Sequence, residues 1–398
     1  MVAGTAAAAL VPNGKKIAPT DEQRQSSSGY SAKYGGSVAL SADATTALVG
    51  GFEDNGGAGS AWFLTHDASG WHQQPKVTTK ETVGAAWFGE SVALSADGNT
   101  ALIGAPLDNV SVGSAWVYTH SASGWIQQSK LTGSAPSATV QDGFGVDVSL
   151  SGDGNTALIG AYTYNNTRGA AFTYQRIGGS WARFGTPLTG AGEKVSAYYG
   201  SSVALSRDGQ TALIGGPSDN EGIGAAWAYA RTASGWTQLG GKLLPHGASG
   251  HSAFGCRVAL SSNGRTALVS GCRDAKGVGA VWIFSRTAHG WSPQGSKLVA
   301  RGERGKGAFG YSAALSGDGN TAVVGAPDQA GGRGSVWTFV RSHNRWRQQG
   351  NGVSGTAQQG AASFGFSVAL SLNGRTALAG GPNDASGVGA VWPYAQAG

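Results

Sequence analysis

Tyr311, His251 and Arg257 are the residues of this sequence best equipped for chemistry. A phenol and an imidazole can pass a proton, and a guanidinium can stabilise developing negative charge. Together they would support the acid/base chemistry of a lyase, isomerase or cyclase. No nucleophile stands at a diagnostic spacing from a base, so covalent catalysis has no signature here. The competing use of the same region is recognition. Trp87, Tyr162, Tyr164, Tyr198, Tyr311 and Phe366 supply aromatic faces, and Glu90, Asp147, His251, Arg257 and Arg273 supply polar groups. Stacking surfaces with a few polar anchors suit a glycan, a protein or a small molecule.

These residues stand out because they break a repeat. The block Phe88-Gly89-Glu90-Ser91-Val92-Ala93-Leu94-Ser95-Ala96-Asp97-Gly98-Asn99-Thr100-Ala101-Leu102-Ile103-Gly104-Ala105-Pro106 recurs seven times. Its glycine returns at Gly35, Gly89, Gly145, Gly200, Gly255, Gly310 and Gly365, 54–56 residues apart. That is near the period of a four-stranded propeller blade. Ser91 to Ser95 and Thr100 to Gly104 flank Asp97-Gly98, a strong hairpin signal, and two more strands follow at Gly113 to Tyr118 and around Trp125. The pattern predicts an all-β fold: a single seven-bladed propeller over 1–398, with blades beginning near 34, 88, 144, 199, 254, 309 and 364. The seventh unit lacks its fourth strand. A strand from the first 33 residues, around Leu10 to Pro19, is expected to complete it and hide the sheet edge.

Composition fits this reading. The 398 residues include 68 Gly and 13 Trp, with 13% charged and 40% hydrophobic residues. That is too few charged side chains for a helical bundle and too many apolar ones for disorder. Trp62, Trp116, Trp227, Trp282, Trp337 and Trp392 fall on the third strands. Trp71, Trp125, Trp181, Trp236, Trp291 and Trp346 fall on the fourth. All twelve read as packing between blades. Trp87 alone lies outside the pattern, as a local plug or a ligand platform. No run reaches the ~18 apolar residues of a spanning helix. The formal charge of +6 is spread along the chain, so nucleic acid is not an expected partner.

Phe-Gly before the first strand and Gly-Ala-Pro after the second (Gly104-Ala105-Pro106, Gly325-Ala326-Pro327) resemble FG-GAP repeats, found in integrin α-subunits and many bacterial extracellular proteins. The resemblance implies the propeller fold and a secreted or surface-displayed protein; a monomer is expected. Calcium-binding relatives carry an Asp-rich loop between the first two strands. Here it has shrunk to Ser-x-Asp-Gly-x-Thr with one carboxylate, so no metal or other cofactor is expected there.

The Phe-Gly and Gly-Ala-Pro corners frame one mouth of the central channel, and the Asp-Gly turns mark the other face. After each Phe-Gly stand Gly36, Glu90, Val146, Ser201, Cys256, Tyr311 and Phe366. The next position is Ser except for Asp147 and Arg257. That opposite-charge pair is either mutually satisfied or part of the ligand ring. Asp54, Asp108, Asp219, Asp274 and Asp384 recur after the second strand as expected turn caps, with shallow cation or sugar sites as the alternative. His66, His120, His289 and His343 are expected in solvated turns on the far face. If Asn263-Gly264 is a two-residue turn, Cys256 falls opposite Gly271 and beside Cys272. This predicts a cross-strand disulfide in an oxidising compartment, with a reactive thiol as the alternative.

Overall fold

Seven four-stranded antiparallel sheets arise because each repeat encodes one meander. The computed structural model describes residues 9–22, 30–133, 141–194, 196–288, 290–303 and 305–397. His289 and part of the N-terminal lead-in, 1–8 and 23–29, lie outside the described residues. Blade two shows the pattern: Ser91–Leu94, Thr100–Ala105, Ser114–Ser121 and Gly124–Leu131. The second strand, Thr-Ala-Leu-Ile-Gly-Ala, is buried throughout, as its unbroken apolar run requires. Blade seven joins Ser367–Leu370, Thr376–Gly381 and Ala390–Gln396 to Leu10–Pro12 from the other end of the chain. Leu10 pairs with Gln396 and Pro12 with Tyr394.

Each Phe-Gly aromatic packs edge-on against the third strand of its own blade. Phe88 meets Trp116 at 5.5 Å and 71°, and Phe144 meets Phe172 in blade three. The third-strand tryptophans are fully buried. Those on the fourth strands are half-buried at the rim, where Trp125 stacks flat on Phe63 of the preceding blade at 3.6 Å. Glycine lets neighbouring blades touch at six of the seven junctions: a Cβ on Gly104 would lie 2.0 Å from the Gly145 carbonyl oxygen.

Both ends of the channel are stitched by hydrogen bonds. At the Asp-Gly end, seven backbone bonds form a closed ring through Ala42, Ala96, Gly152, Arg207, Ser262, Gly317 and Leu372, at 2.7–3.1 Å. The turns themselves are self-satisfied. Asp97 accepts from Ser95 Oγ (2.5 Å) and the Asn99 N–H (3.0 Å). Burial opposes ionisation there, but these bonds hold the carboxyl below its ordinary range. Blade one keeps the same turn with Ala44 at φ 61° in place of glycine. At the mouth end, Ser37, Ser91, Ser312 and Ser367 donate to the Phe-Gly carbonyl of the next blade.

The recurring Asp after the second strand does more than cap a turn. Asp108 accepts from the Val83 N–H and Ser114 Oγ and pairs with Lys130 at 2.9 Å. Asp54–Lys76, Asp219–Lys242, Asp274–Lys297 and Asp384–Lys16 repeat the clamp, each carboxylate almost wholly buried. With these donors around it, the carboxylate is a structural tie. The clamp sits at the base of a tight left-handed coil, with Asn109 and Val110 at φ 50° and 59°. Those angles are costly for residues with a Cβ, yet the coil recurs in blades three and six, where Tyr164 and Gln329 stand in place of the aspartate.

Candidate functional site

The structure divides the sequence-selected residues into three places. The first is the channel throat, a cavity of about 200 Å³ lined by Glu90, Asp147, Arg257, Tyr311 and Phe366. Blades three and five replace the serine stitch here, and in both the first strand bulges (Phe144–Leu150 and Phe254–Leu260). Bulges re-aim side chains, and here they accompany the two charges. Arg257 Nη1 lies 3.5 Å from Asp147 Oδ1, and its Nε donates to the Tyr311 carbonyl at 3.4 Å. Asp147 Oδ2 accepts the Val203 N–H at 2.7 Å. The opposite charges therefore satisfy each other across the throat. Tyr311 packs on Phe366 at 4.8 Å, and burial pushes its phenol up to about 12.

Glu90 is the unsettled member. Its buried Oε2 finds no hydrogen-bond partner among the described residues. Burial raises its pKa; Arg257 opposes this, Asp147 and Glu53 add to it, and the carboxyl reaches about 8. Between its unfolded value near 4.5 and about 8, the folded protein keeps a proton that the unfolded chain has released. That stabilisation is complete below the unfolded pKa and is lost as pH rises through the folded one. Relative to Glu90→Gln, wild type is expected to lose on the order of 2–4 kcal/mol between pH 5 and 9. Parallel melting-temperature profiles for the two proteins would contradict this.

The second place is a groove of about 800 Å³ over the mouth of blades three to five. Tyr162 and Tyr198 line it with ring centroids 5.9 Å apart at 42°. Tyr198 holds φ 50°, a strained angle for an aromatic residue. His251 is exposed and fixed by a 2.5 Å hydrogen bond between its Nδ1 and the Glu221 carbonyl, leaving Nε2 as its other polar atom. Arg273, Glu221, Ser196 and Ser218 add polar groups, and Cys256 and Cys272 also line the groove.

The third group stays apart. Trp87 tilts onto Phe52 at 5.3 Å, half-buried between blades one and two. Tyr164, partly buried, packs edge-on to Phe172 against the core of blade three. It occupies the position at which five blades carry the clamping Asp.

The register around the cysteines requires a correction. Cys256 and Cys272 are free thiols, where the hairpin count predicts a disulfide. The count assumes an unbroken ladder. Phe254, not Cys256, pairs with Gly271; Arg257 pairs with Ser270, and Gly255 and Cys256 bulge out between. The backbone N–H of Cys272 donates to Cys256 Sγ at 3.1 Å.

Sequence reasoning treated the Asp of the clamp alone and missed its Lys. The signal was present: where blades three and six replace Asp by Tyr164 and Gln329, the lysine position reads Pro187 and Gly352. Charge and countercharge are lost together.

Residues 71–118 and 125–174 match the FG-GAP repeat family. The chain is a seven-bladed propeller that carries FG-GAP repeats. No curated protein sequence matches it. Solved structures similar to this propeller include a candidate 6-phosphogluconolactonase from Bacteroides uniformis, at 13% identity and TM-score 0.55, covering 80% of this chain and 85% of that one. The hydrazine synthase of Kuenenia stuttgartiensis aligns at 15% identity and TM-score 0.57, over 91% of this chain and 96% of that one. At such identities the likeness extends to fold alone. Among the described residues, no group of three or more His, Cys, Asp or Glu gathers at metal-binding range, and no helix is long and apolar enough to cross a membrane.

Proposed function

We propose that this FG-GAP propeller is an extracellular binding module that takes a glycan in the groove over blades three to five. The observation that carries the reading is the Tyr162–Tyr198 pair beside His251, Arg273 and Glu221 in one open groove. A sugar presents an apolar face to stack on a ring and hydroxyls to meet polar groups at its edge. Turnover by Tyr311, His251 and Arg257 is disfavoured by their engagements. Arg257 is held by Asp147 and the Tyr311 carbonyl, the Tyr311 phenol sits far above neutral pH, and His251 lines the groove rather than the throat. Fold similarity to enzymes does not alter this, since one propeller architecture hosts unrelated activities.

A glycan array followed by calorimetry tests the proposal. Tyr198→Ala is expected to weaken the best saccharide at least tenfold, about 1.4 kcal/mol, with an unchanged melting temperature. Trp87→Ala, remote from the groove, is expected to leave affinity unchanged. Loss of affinity in Trp87→Ala with none in Tyr198→Ala would overturn the assignment.

A further inference from the structure

Blade five concentrates departures from the repeat. Cys256 follows its Phe-Gly, Arg257 replaces the stitching serine, and Cys272 and Arg273 replace the Pro-Leu of blade two. Ser270 stands where the other six blades have glycine (Gly50, Gly104, Gly160, Gly215, Gly325 and Gly380). At those glycines a Cβ would lie 1.9–2.1 Å from the next blade's carbonyl oxygen. Blade five thus places a hydroxyl at a junction that elsewhere excludes a side chain. That hydroxyl lies 3.3 Å from Cys256 Sγ, with the Cys272 N–H 3.1 Å from the same sulfur. Both cysteines line the groove, so a solute that enters it can reach them. The rest of the fold does not need these groups: six blades close without them.

We propose that Cys256 and Cys272 form a redox-active dithiol that exchanges with small anionic disulfides entering the mouth groove. The Cys256 thiolate attacks one sulfur of the disulfide, forming a mixed disulfide and releasing one thiolate. The Cys272 thiol then gives its proton to solvent and attacks the Cys256 sulfur, releasing the second thiolate. The protein pair loses two electrons and becomes Cys256–Cys272 disulfide; the small disulfide gains them and leaves as two thiols. The order of attack follows from the surroundings. Burial opposes ionisation of Cys256, but hydrogen bonds from the Cys272 thiol, Ser270 and the Cys272 N–H, with Arg257 nearby, bring it down to about 7. Cys272 is pushed up by donating to Cys256 and by burial, so it stays protonated until the first sulfur has reacted. Arg273, exposed at the groove, favours a carboxylate-bearing disulfide.

Glutathione disulfide is a suitable probe on the folded full chain. Wild type is expected to pass from two titratable thiols to none, with a mass loss of two hydrogens that dithiothreitol reverses. Cys272→Ser is expected to retain one glutathione on Cys256. Cys256→Ser should react at least tenfold more slowly. Equal rates for the two variants would overturn the proposal. So would thiols inert until the protein unfolds, or a stable glutathione adduct on wild type. None of these readouts depends on saccharide binding, so the dithiol and the glycan reading stand or fall separately.

Discussion

A chain lacking residues 1–20 is expected to lose on the order of 5–8 kcal/mol of stability, comparable to the whole margin of an ordinary domain. The deletion exposes the edge of Ala390–Gln396, whose partners Leu10, Val11 and Pro12 are gone. It removes Leu10 from the core around Trp392 and Tyr394, worth about 1.5–3 kcal/mol. It also removes Lys16, leaving Asp384 buried without its cation; breaking such a pair costs about 3–5 kcal/mol. Ile17, which exchanges backbone hydrogen bonds with Val391, goes too. Because the lost strand closes the ring, destabilisation should spread beyond blade seven. Thermal unfolding followed by circular dichroism checks this, and an unchanged melting temperature would contradict it.

The second large effect concerns the buried clamp. Lys242→Met is expected to destabilise by about 3–5 kcal/mol, because the Asp219 carboxylate is wholly buried and loses the ammonium 2.5 Å away. Adding Asp219→Gln, the residue blade six carries at Gln329, should recover most of that loss. Gln can still accept from the Lys194 N–H, which now bonds Asp219 Oδ1 at 2.5 Å. An uncompensated buried charge is costly, whereas replacing both members of a pair is often close to neutral. Denaturant unfolding of the two variants measures the coupling directly. If the double variant is no more stable than the single one, the aspartate is held by something other than its lysine.

These two effects also show what sequence reading reaches. Blade count, strand order and the closing strand follow from Phe-Gly and Asp-Gly recurring at one spacing, because period and turn chemistry are local properties. The clamp was half legible. Asp219 and Lys242 are far apart in the repeat, and only the joint change at Tyr164 with Pro187 and at Gln329 with Gly352 ties them together. The register around the cysteines was misread because a bulge leaves no mark in a count of alternating positions. The two bulged strands do carry the charged departures, Asp147 and Arg257, at their distorted points. The left-handed coil after the second strand was hidden for another reason. Residues such as Val110, at φ 59°, disfavour that angle, and the coil forms even in blades three and six, where Tyr164 and Gln329 replace the aspartate. The candidate site was legible as a set of residues but not as a place. Departure from the repeat selected Tyr162, Tyr198, His251 and Arg273, which share a groove, together with Trp87 and Tyr164, which do not.

The groove is where the account is most exposed to test, and a crystal structure with the best-binding saccharide from the array addresses it directly. The account predicts a sugar ring against Tyr162 or Tyr198, with hydroxyls within hydrogen-bond reach of His251 or Arg273. A saccharide bound beside Trp87, within the throat around Glu90, or on the Asp-Gly face would contradict it.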